Sequence, residues 1–320
     1  MTLPIPILLD DWYHLPDHIQ ITAATSVAVD STGQTYIGHR GDHPILVFDR
    51  DGTFLRSMGN DLIPWREGVV YEPVPGESAV VEFVEADTLP DPDRVLATKG
   101  AWRFLHGMHV DSDDCLWVTD VGSHVVHKFS AAGDLLLTLG TPGVCGVAAG
   151  QFNQPTDVAR NAAGEIFVSD GYINSRVVKF SADGELLHTW GTKGRGPEEF
   201  NTPHAITVDD DGVVYVSDRT NFRIQRFDDS GRYLGEWTDL DIHGSGDGEI
   251  NDLQWGPDGL LYLGNGRGHR MTVLDRKGRS LGSWGGPDLF RVIHGICFDT
   301  EGNLYAAEVK GHRVRKFDLG

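Results

Sequence analysis

Cysteine is scarce in this chain: Cys115, Cys145 and Cys297 are the only three. A small odd number in no metal-ligand spacing excludes a disulfide framework and reads as buried thiols of a reducing compartment. Long hydrophobic runs are also missing. No stretch of roughly 18 apolar residues occurs, which argues against a transmembrane helix. The N-terminus, Met1-Thr2-Leu3-Pro4-Ile5-Pro6-Ile7-Leu8-Leu9-Asp10, lacks a basic segment and carries two prolines. It does not read as a secretory signal, and the expected location is cytoplasmic. Positive charge is in deficit, with 27 Lys and Arg against 47 Asp and Glu and a net charge of −20. Such a chain repels nucleic acid and anionic membranes as partners, and its acidity reads as a solvated surface.

Turn formers are plentiful: 40 Gly and 15 Pro in 320 residues. They separate short β-branched and aromatic runs that recur with one plan. In one copy Ser26-Val27-Ala28-Val29-Asp30 is followed by Tyr36-Ile37-Gly38-His39-Arg40 and Ile45-Leu46-Val47-Phe48. In another, Pro203-His204-Ala205-Ile206-Thr207-Val208 is followed by Val214-Tyr215-Val216-Ser217-Asp218 and Ile224-Gln225-Arg226-Phe227. Six such copies, most closing with a fourth run, predict an all-β fold, a single six-bladed β-propeller over 1–320. The sixth copy stops after its third run, so a segment among residues 7–20 is expected to supply the missing outer strand. Residues 60–101, with five prolines, break the period between blades 1 and 2. An insertion of that length reads as a lid or a surface loop.

The copies align without gaps from first run to second. Thr25 to His39, His106 to Asp120, Thr156 to Asp170, His204 to Asp218, Asn251 to Asn265 and His294 to Glu308 are each 14 residues apart. The first column therefore reads Thr, His, Thr, His, Asn, His. Three histidines from alternate blades, each opening an innermost strand, point at one channel axis. Chance gives such a pattern with odds on the order of 1% after searching all repeat columns. Three convergent imidazoles suit Zn²⁺ and leave one coordination position open, as a catalytic site requires. His106, His204 and His294 are the expected metal ligands. Residues ending the second runs, including Arg40, Tyr172 and Arg219, are expected on the same rim as an anion-binding and acid–base set. Arg40 and Arg219 could equally pair with rim aspartates. One extra residue between Asp170 and Phe180 lets Tyr172 protrude. Asp120, Asp170 and Asp218 read as structural acceptors of loop amides.

The copies resemble NHL repeats. The combination of Leu105-His106-Gly107-Met108, Gln154-Pro155-Thr156-Asp157, Asp170-Gly171-Tyr172-Ile173-Asn174-Ser175-Arg176, Pro203-His204, Asp218-Arg219 and His39-Arg40-Gly41-Asp42-His43 resembles the peptidyl-α-hydroxyglycine α-amidating lyases. The resemblance implies Zn²⁺ on His106, His204 and His294. It implies Tyr172 as catalytic base, Arg219 positioning that tyrosine and the substrate, and Arg40 holding the substrate carboxylate. The implied reaction cleaves an N-acyl hemiaminal to a primary amide and glyoxylate. The implied partners are a carboxylated small-molecule or peptide-like substrate and a separate oxygenase that supplies it. The family also has a calcium site built on two backbone carbonyls, matching Val27 and Met108, and on an aspartate where this chain has Gly295. Loss of that one charged ligand counts against Ca²⁺. Disulfide positions of secreted animal members fall on Asn153, Ile173, Tyr215 and Arg226, in keeping with a cytoplasmic protein. Two other readings stay open on the residues: a lactonase-like metal hydrolase, and a non-catalytic scaffold that binds proteins.

Overall fold

The structure is a computed structural model that describes residues 6–9, 11–71, 81–85, 95–242 and 248–320, with side chains omitted over 69–100. Six four-stranded antiparallel sheets form a ring. Their innermost strands are Ala24–Val29, Leu105–Val110, Asp157–Arg160, Pro203–Val208, Ile250–Trp255 and Ile293–Phe298. Second strands such as Leu116–Asp120, Ile166–Asp170 and Val214–Asp218 are buried throughout, as expected of strands covered on both faces. Core clusters lie between successive blades rather than within them. One joins Tyr36, Ile45 and Val47 of blade 1 to Leu105, Leu116 and Val118 of blade 2. Among the described residues, no helix is long and apolar enough to cross a membrane.

Much of the acidity is spent inside turns. Asp30 Oδ1 accepts the amides of Thr32 and Gln34 at 3.0 and 2.8 Å, while Tyr36 Oη donates to its Oδ2 at 3.2 Å. The same aspartate–aromatic clasp recurs as Asp111–Trp117 at 2.8 Å, Asp209–Tyr215 at 2.9 Å and Asp299–Tyr305 at 3.1 Å. These carboxylates stabilise the first hairpins of blades 1, 2, 4 and 6, because an Asx turn satisfies amides that the ladder leaves unpaired.

The ring closes through the N-terminus, as expected. Ile7–Leu9 pairs antiparallel with Arg313–Asp318, with Leu8 opposite Phe317, and completes blade 6. The following residues cross the seam to blade 1. Trp12 Nε1 donates to the Val314 carbonyl at 3.0 Å, and its ring meets Tyr305 edge-on at 5.0 Å. His14 N–H reaches the Gly52 carbonyl at 2.9 Å. Gly52 has φ +79°, and a Cβ there would lie 1.7 Å from the Trp12 carbonyl oxygen, so only glycine admits the strap.

Residues 60–101 contain regular structure rather than a plain loop. Trp65–Tyr71 lies between Val81–Glu85 and Val95–Arg103 in a three-stranded sheet. The last of these strands leads directly into the inner strand of blade 2. Residues 72–80 and 86–94, where a lid would have its tips, lie outside the described residues.

Deleting residues 1–20 exposes the blade 6 edge and strips the seam, and should lower Tm by about 10 °C or more, since each kcal/mol moves Tm by a few degrees in a domain of this size. Trp12→Ala alone should cost about 2–3 kcal/mol. Differential scanning calorimetry checks both; an unchanged Tm in the deletion would show that the ring closes without the strap.

Candidate metal centre

A backbone irregularity accompanies the column residue in five of the six blades, all but blade 3. In blade 4, Pro203 pairs with Asp218 and Ala205 with Ser217, so His204 is bulged out of the ladder. His294 is bulged between Ile293 and Gly295, Thr25 between Ala24 and Ser26, and Asn251 between Ile250 and Asp252. Blade 2 is irregular at His106. A β-bulge re-aims a side chain that a regular strand would send toward a neighbouring blade.

The three imidazoles converge. Their ligand nitrogens all lie within 4.8 Å of one another, and ring centroids are 4.5 to 5.1 Å apart. Each Nδ1 faces a backbone carbonyl of the next blade: His106 that of Thr156 at 2.6 Å, His204 that of Asn251 at 2.7 Å, and His294 that of Thr25 at 2.8 Å. A carbonyl only accepts, so Nδ1 carries the proton in all three rings and Nε2 presents its lone pair to the axis. Burial holds His106 and His204 well below the ordinary imidazole range, helped at His106 by His294 and the Arg40 and Arg219 cations and at His204 by Arg219, His106 and His294. Burial and Arg40 bring His294 down to about 3. The set is therefore three neutral nitrogen donors, the form in which imidazole binds a divalent metal.

Tyr172 sits on this set. Its Oη is 2.8 Å from His106 Nε2 and 3.3 Å from His204 Nε2. The turn that carries it is anchored by Asp170, which accepts Asn153 N–H at 2.8 Å, Asn174 Nδ2 at 2.7 Å and Arg176 Nε at 2.9 Å. Asp218 plays the same part in blade 4, accepting Asn201 N–H at 2.7 Å and Arg223 Nε at 2.9 Å. Asp120 accepts the Ser123 amide at 3.1 Å. The second-column aspartates are thus loop acceptors, as expected, and the arginines they bind are Arg176 and Arg223.

Arg40 and Arg219 are left over. Among the described residues neither has a carboxylate partner, and Nε of each is buried without a hydrogen bond. The Arg219 guanidinium carbon lies 5.7 Å from the Tyr172 ring centroid. That of Arg40 lies 5.2 Å from the Trp102 ring and 5.6 Å from the Phe104 ring, and burial lowers its pKa. His39 holds the Arg40 turn, its Nδ1 accepting the Gly41 amide at 3.2 Å and that of Thr22 at 3.3 Å. Beside Arg40 opens a cavity of about 580 Å³, walled by Trp65, Trp102, Ile19 and Val309.

Val27 and Met108 line a second, smaller void in the channel, with Gly295 beside them. A Cβ at Gly295 would stand 2.7 Å from the Thr25 carbonyl oxygen and from Ser26 Cα, so no carboxylate fits at that position as the blades are packed. The calcium set implied by Val27, Met108 and residue 295 is incomplete here. The cysteine expectation needs correction. Only Cys297 is buried; Cys115 is half-buried and Cys145 is exposed, because the latter lies on a loop between blades 2 and 3 and not in a strand.

The residues that sequence reasoning missed are backbone groups and inserted aromatics. Thr25, Thr156 and Asn251 act through carbonyls, which no side-chain pattern reports, although their alternation with the histidines was visible. Trp65 and Trp102 belong to the insertion, which has no repeat to align with.

A description of the NHL repeat matches residues 152–180 and 200–227, which are blades 3 and 4. NHL repeat-containing protein 3 of Homo sapiens is 36% identical over 236 residues, covering 69% of this chain and 57% of that one. A probable peptidyl-α-hydroxyglycine α-amidating lyase of Caenorhabditis elegans is 42% identical over 132 residues, 40% of this chain and 38% of that one. Peptidyl-α-hydroxyglycine α-amidating lyase 2 of Drosophila melanogaster is 31% identical over 236 residues, 70% of this chain and 51% of that one. The chain thus spans about half the length of these relatives. Among solved structures, a gluconolactonase from Xanthomonas campestris has a TM-score of 0.62 at 15% identity, covering 100% of this chain and 99% of that one. A streptogramin B lyase has a TM-score of 0.58 at 16% identity, covering 95% of each chain. At these identities the two structures share the fold alone.

Gly171 sets the spacing between the tyrosine turn and the His204 strand. A Cβ there would lie 1.7 Å from the Pro203 carbonyl oxygen and 2.7 Å from Thr156 Oγ1. Gly171→Ala should therefore cost about 1–3 kcal/mol and weaken metal uptake by displacing Pro203 and His204 together. Thermal melting with elemental analysis checks this, and full metal occupancy at wild-type Tm would contradict it.

Proposed function

Since the chain is a six-bladed propeller of NHL repeats, with relatives named peptidyl-α-hydroxyglycine α-amidating lyases, we propose that it is a zinc-dependent carbon–nitrogen lyase. Its substrate in this reading is a carboxylated N-acyl hemiaminal of the α-hydroxyglycine type. The observation that carries the reading is Tyr172 Oη within hydrogen-bond distance of two of three neutral, convergent imidazoles, beside Arg40 and Arg219, which have no carboxylate partner among the described residues.

The donor set suits Zn²⁺: three nitrogen ligands of fixed tautomer, held by the protein. Bound on His106, His204 and His294, zinc supplies a Lewis acid that lowers the pKa of a hydroxyl set against it. Arg40 takes the substrate carboxylate, since a guanidinium with free N–H groups binds two oxygens at once. Arg219, against the face of Tyr172, holds the phenol toward the imidazoles. Tyr172 Oη takes up the hydroxyl proton while passing its own proton to the departing nitrogen, as the C–N bond breaks and the carbonyl forms. The products are a primary amide and glyoxylate, and no co-reactant is consumed. The class of reaction that supplies such a substrate is hydroxylation of an N-acylglycine, assigned here to a separate oxygenase. Trp102 and Phe104 wall the Arg40 side and exclude water from the ion pair.

A second reading is favoured by the human relative, whose name carries no reaction: a propeller that keeps the pocket without turnover. A lactonase-like hydrolase is the weaker alternative, because the ring holds imidazoles where hard-cation chemistry uses oxygen ligands.

Incubation with α-hydroxyhippurate should release benzamide and glyoxylate in equal amounts. Chelation should abolish the release and added zinc restore it. Tyr172→Phe should lower kcat by about 100-fold or more with metal content unchanged. His204→Ala should lose the metal. No glyoxylate at any zinc concentration, from protein that holds zinc, would move the assignment to the non-catalytic reading.

A further inference from the structure

The cavity of about 580 Å³ beside Arg40 lies at the seam where the ring closes. Four parts of the chain build it: the strap through Ile19 and Ala23, blade 1 through Arg40, blade 6 through Val309, and the insertion through Trp65 and Trp102. Short stretches of chain connect these walls to the imidazoles. Ala23 lies two residues before Thr25, whose carbonyl accepts from His294 Nδ1 at 2.8 Å. The Arg40 guanidinium carbon is 5.6 Å from the ring of Phe104, two residues before His106. Arg40 therefore stands between the cavity and the metal centre. Its Nε is buried without a hydrogen bond.

The wall is mostly apolar, and much of its main chain is already engaged. The Thr22 and Gly41 amides donate to His39 Nδ1 at 3.3 and 3.2 Å. The Arg40 amide donates to the Ala23 carbonyl at 3.3 Å, that of Val309 to Val292 at 3.1 Å and that of Lys310 to Arg291 at 3.1 Å. A peptide acyl group entering here brings an N–H and a C=O with each residue, and these five wall amides have no proton left to offer. A polar group left unpaired on burial is costly. An acyl group without further peptide bonds carries no such groups. Trp65 and Trp102 present ring surface, which favours an aromatic partner. The cavity has the size of a small-molecule site.

We propose that this cavity is the acyl subsite and that it selects an aromatic acyl group over a peptide, with Arg40 holding the carboxylate at the inner end and Trp65, Trp102 and Val309 setting the size accepted. The inference rests on the lyase reading for the head group of the ligand. Two of these walls belong to the insertion, so the selectivity is a property of the added sheet rather than of the propeller plan.

The test uses the full chain with zinc added. Calorimetric titration with unreactive glycines requires no turnover. N-(2-naphthoyl)glycine should bind about tenfold or more tighter than acetyl-Phe-Gly, which carries a ring on a peptide backbone. Trp65→Ala should narrow that difference by about fivefold or more. Trp65 is 37% exposed, so the fold tolerates its loss. Val309→Trp, which fills the cavity from blade 6, should narrow it likewise, with Tm checking that the variant has folded. In turnover, N-(2-naphthoyl)-α-hydroxyglycine should exceed acetyl-Phe-α-hydroxyglycine by about tenfold or more in kcat/KM. The expected binding without glyoxylate release keeps the subsite and removes the lyase reading. Acetyl-Phe-Gly binding as tightly as the naphthoyl ligand overturns the proposal. So do folded Trp65→Ala and Val309→Trp proteins that both discriminate as the wild type does.

Discussion

Three hydrogen bonds from imidazole Nδ1–H to the backbone carbonyls of Thr25, Thr156 and Asn251 organise the centre of this molecule. Each does two things at once. It sets the tautomer, so that Nε2 faces the axis with a lone pair, and it joins an even blade to the next odd one. Metal-binding histidines are commonly held this way by a partner on the second nitrogen. Here the partner is the main chain of the next blade, so geometry at the site and packing between blades depend on the same contacts. A change that shifts one blade also shifts a ligand.

Electrostatics follow from that arrangement. An acidic protein would be expected to neutralise its cations, and the rim aspartates do engage arginines: Arg176 on Asp170 and Arg223 on Asp218. Those pairs brace the turns that carry Tyr172 and Arg219. Arg40 and Arg219 are kept out of them, with Nε of each unsatisfied. A buried donor without a partner costs free energy, on the order of 1–3 kcal/mol. A mostly apolar cavity lies next to Arg40.

The ring also divides by parity. Even blades contribute imidazoles and then residues without polar side chains; odd blades contribute carbonyls and then oxygen side chains. Neighbouring blades are therefore not interchangeable, although all share one strand plan. The pseudo-threefold arrangement that results puts the three imidazoles at one position of the inner strands and Ser26, Asp157 and Asp252 at the next.

The strand plan was legible because it is local. Alternating β-branched and aromatic residues, Asp-Gly turns and a constant spacing of 14 residues are properties of short segments, and blades form from short segments. The histidine column was legible for the same reason: one repeat position, read six times. The missing outer strand at Gly320 likewise announced that residues near 7–20 must return to blade 6, because an open sheet edge must be covered. Tyr172 could be singled out by one extra residue in its turn. Tertiary structure alone decided how near the three rings come, since that depends on bulges of one residue and on the closure of the whole ring. It alone decided that Arg176 and Arg223 pair with Asp170 and Asp218 while Arg40 and Arg219 have no carboxylate partner among the described residues, because a side chain's partner is chosen by what the fold brings within reach. It also made Asp157 and Asp252 neighbours across the channel, 95 positions apart in the chain. Burial and convergence are properties of assembled blades, and no segment of sequence carries them by itself.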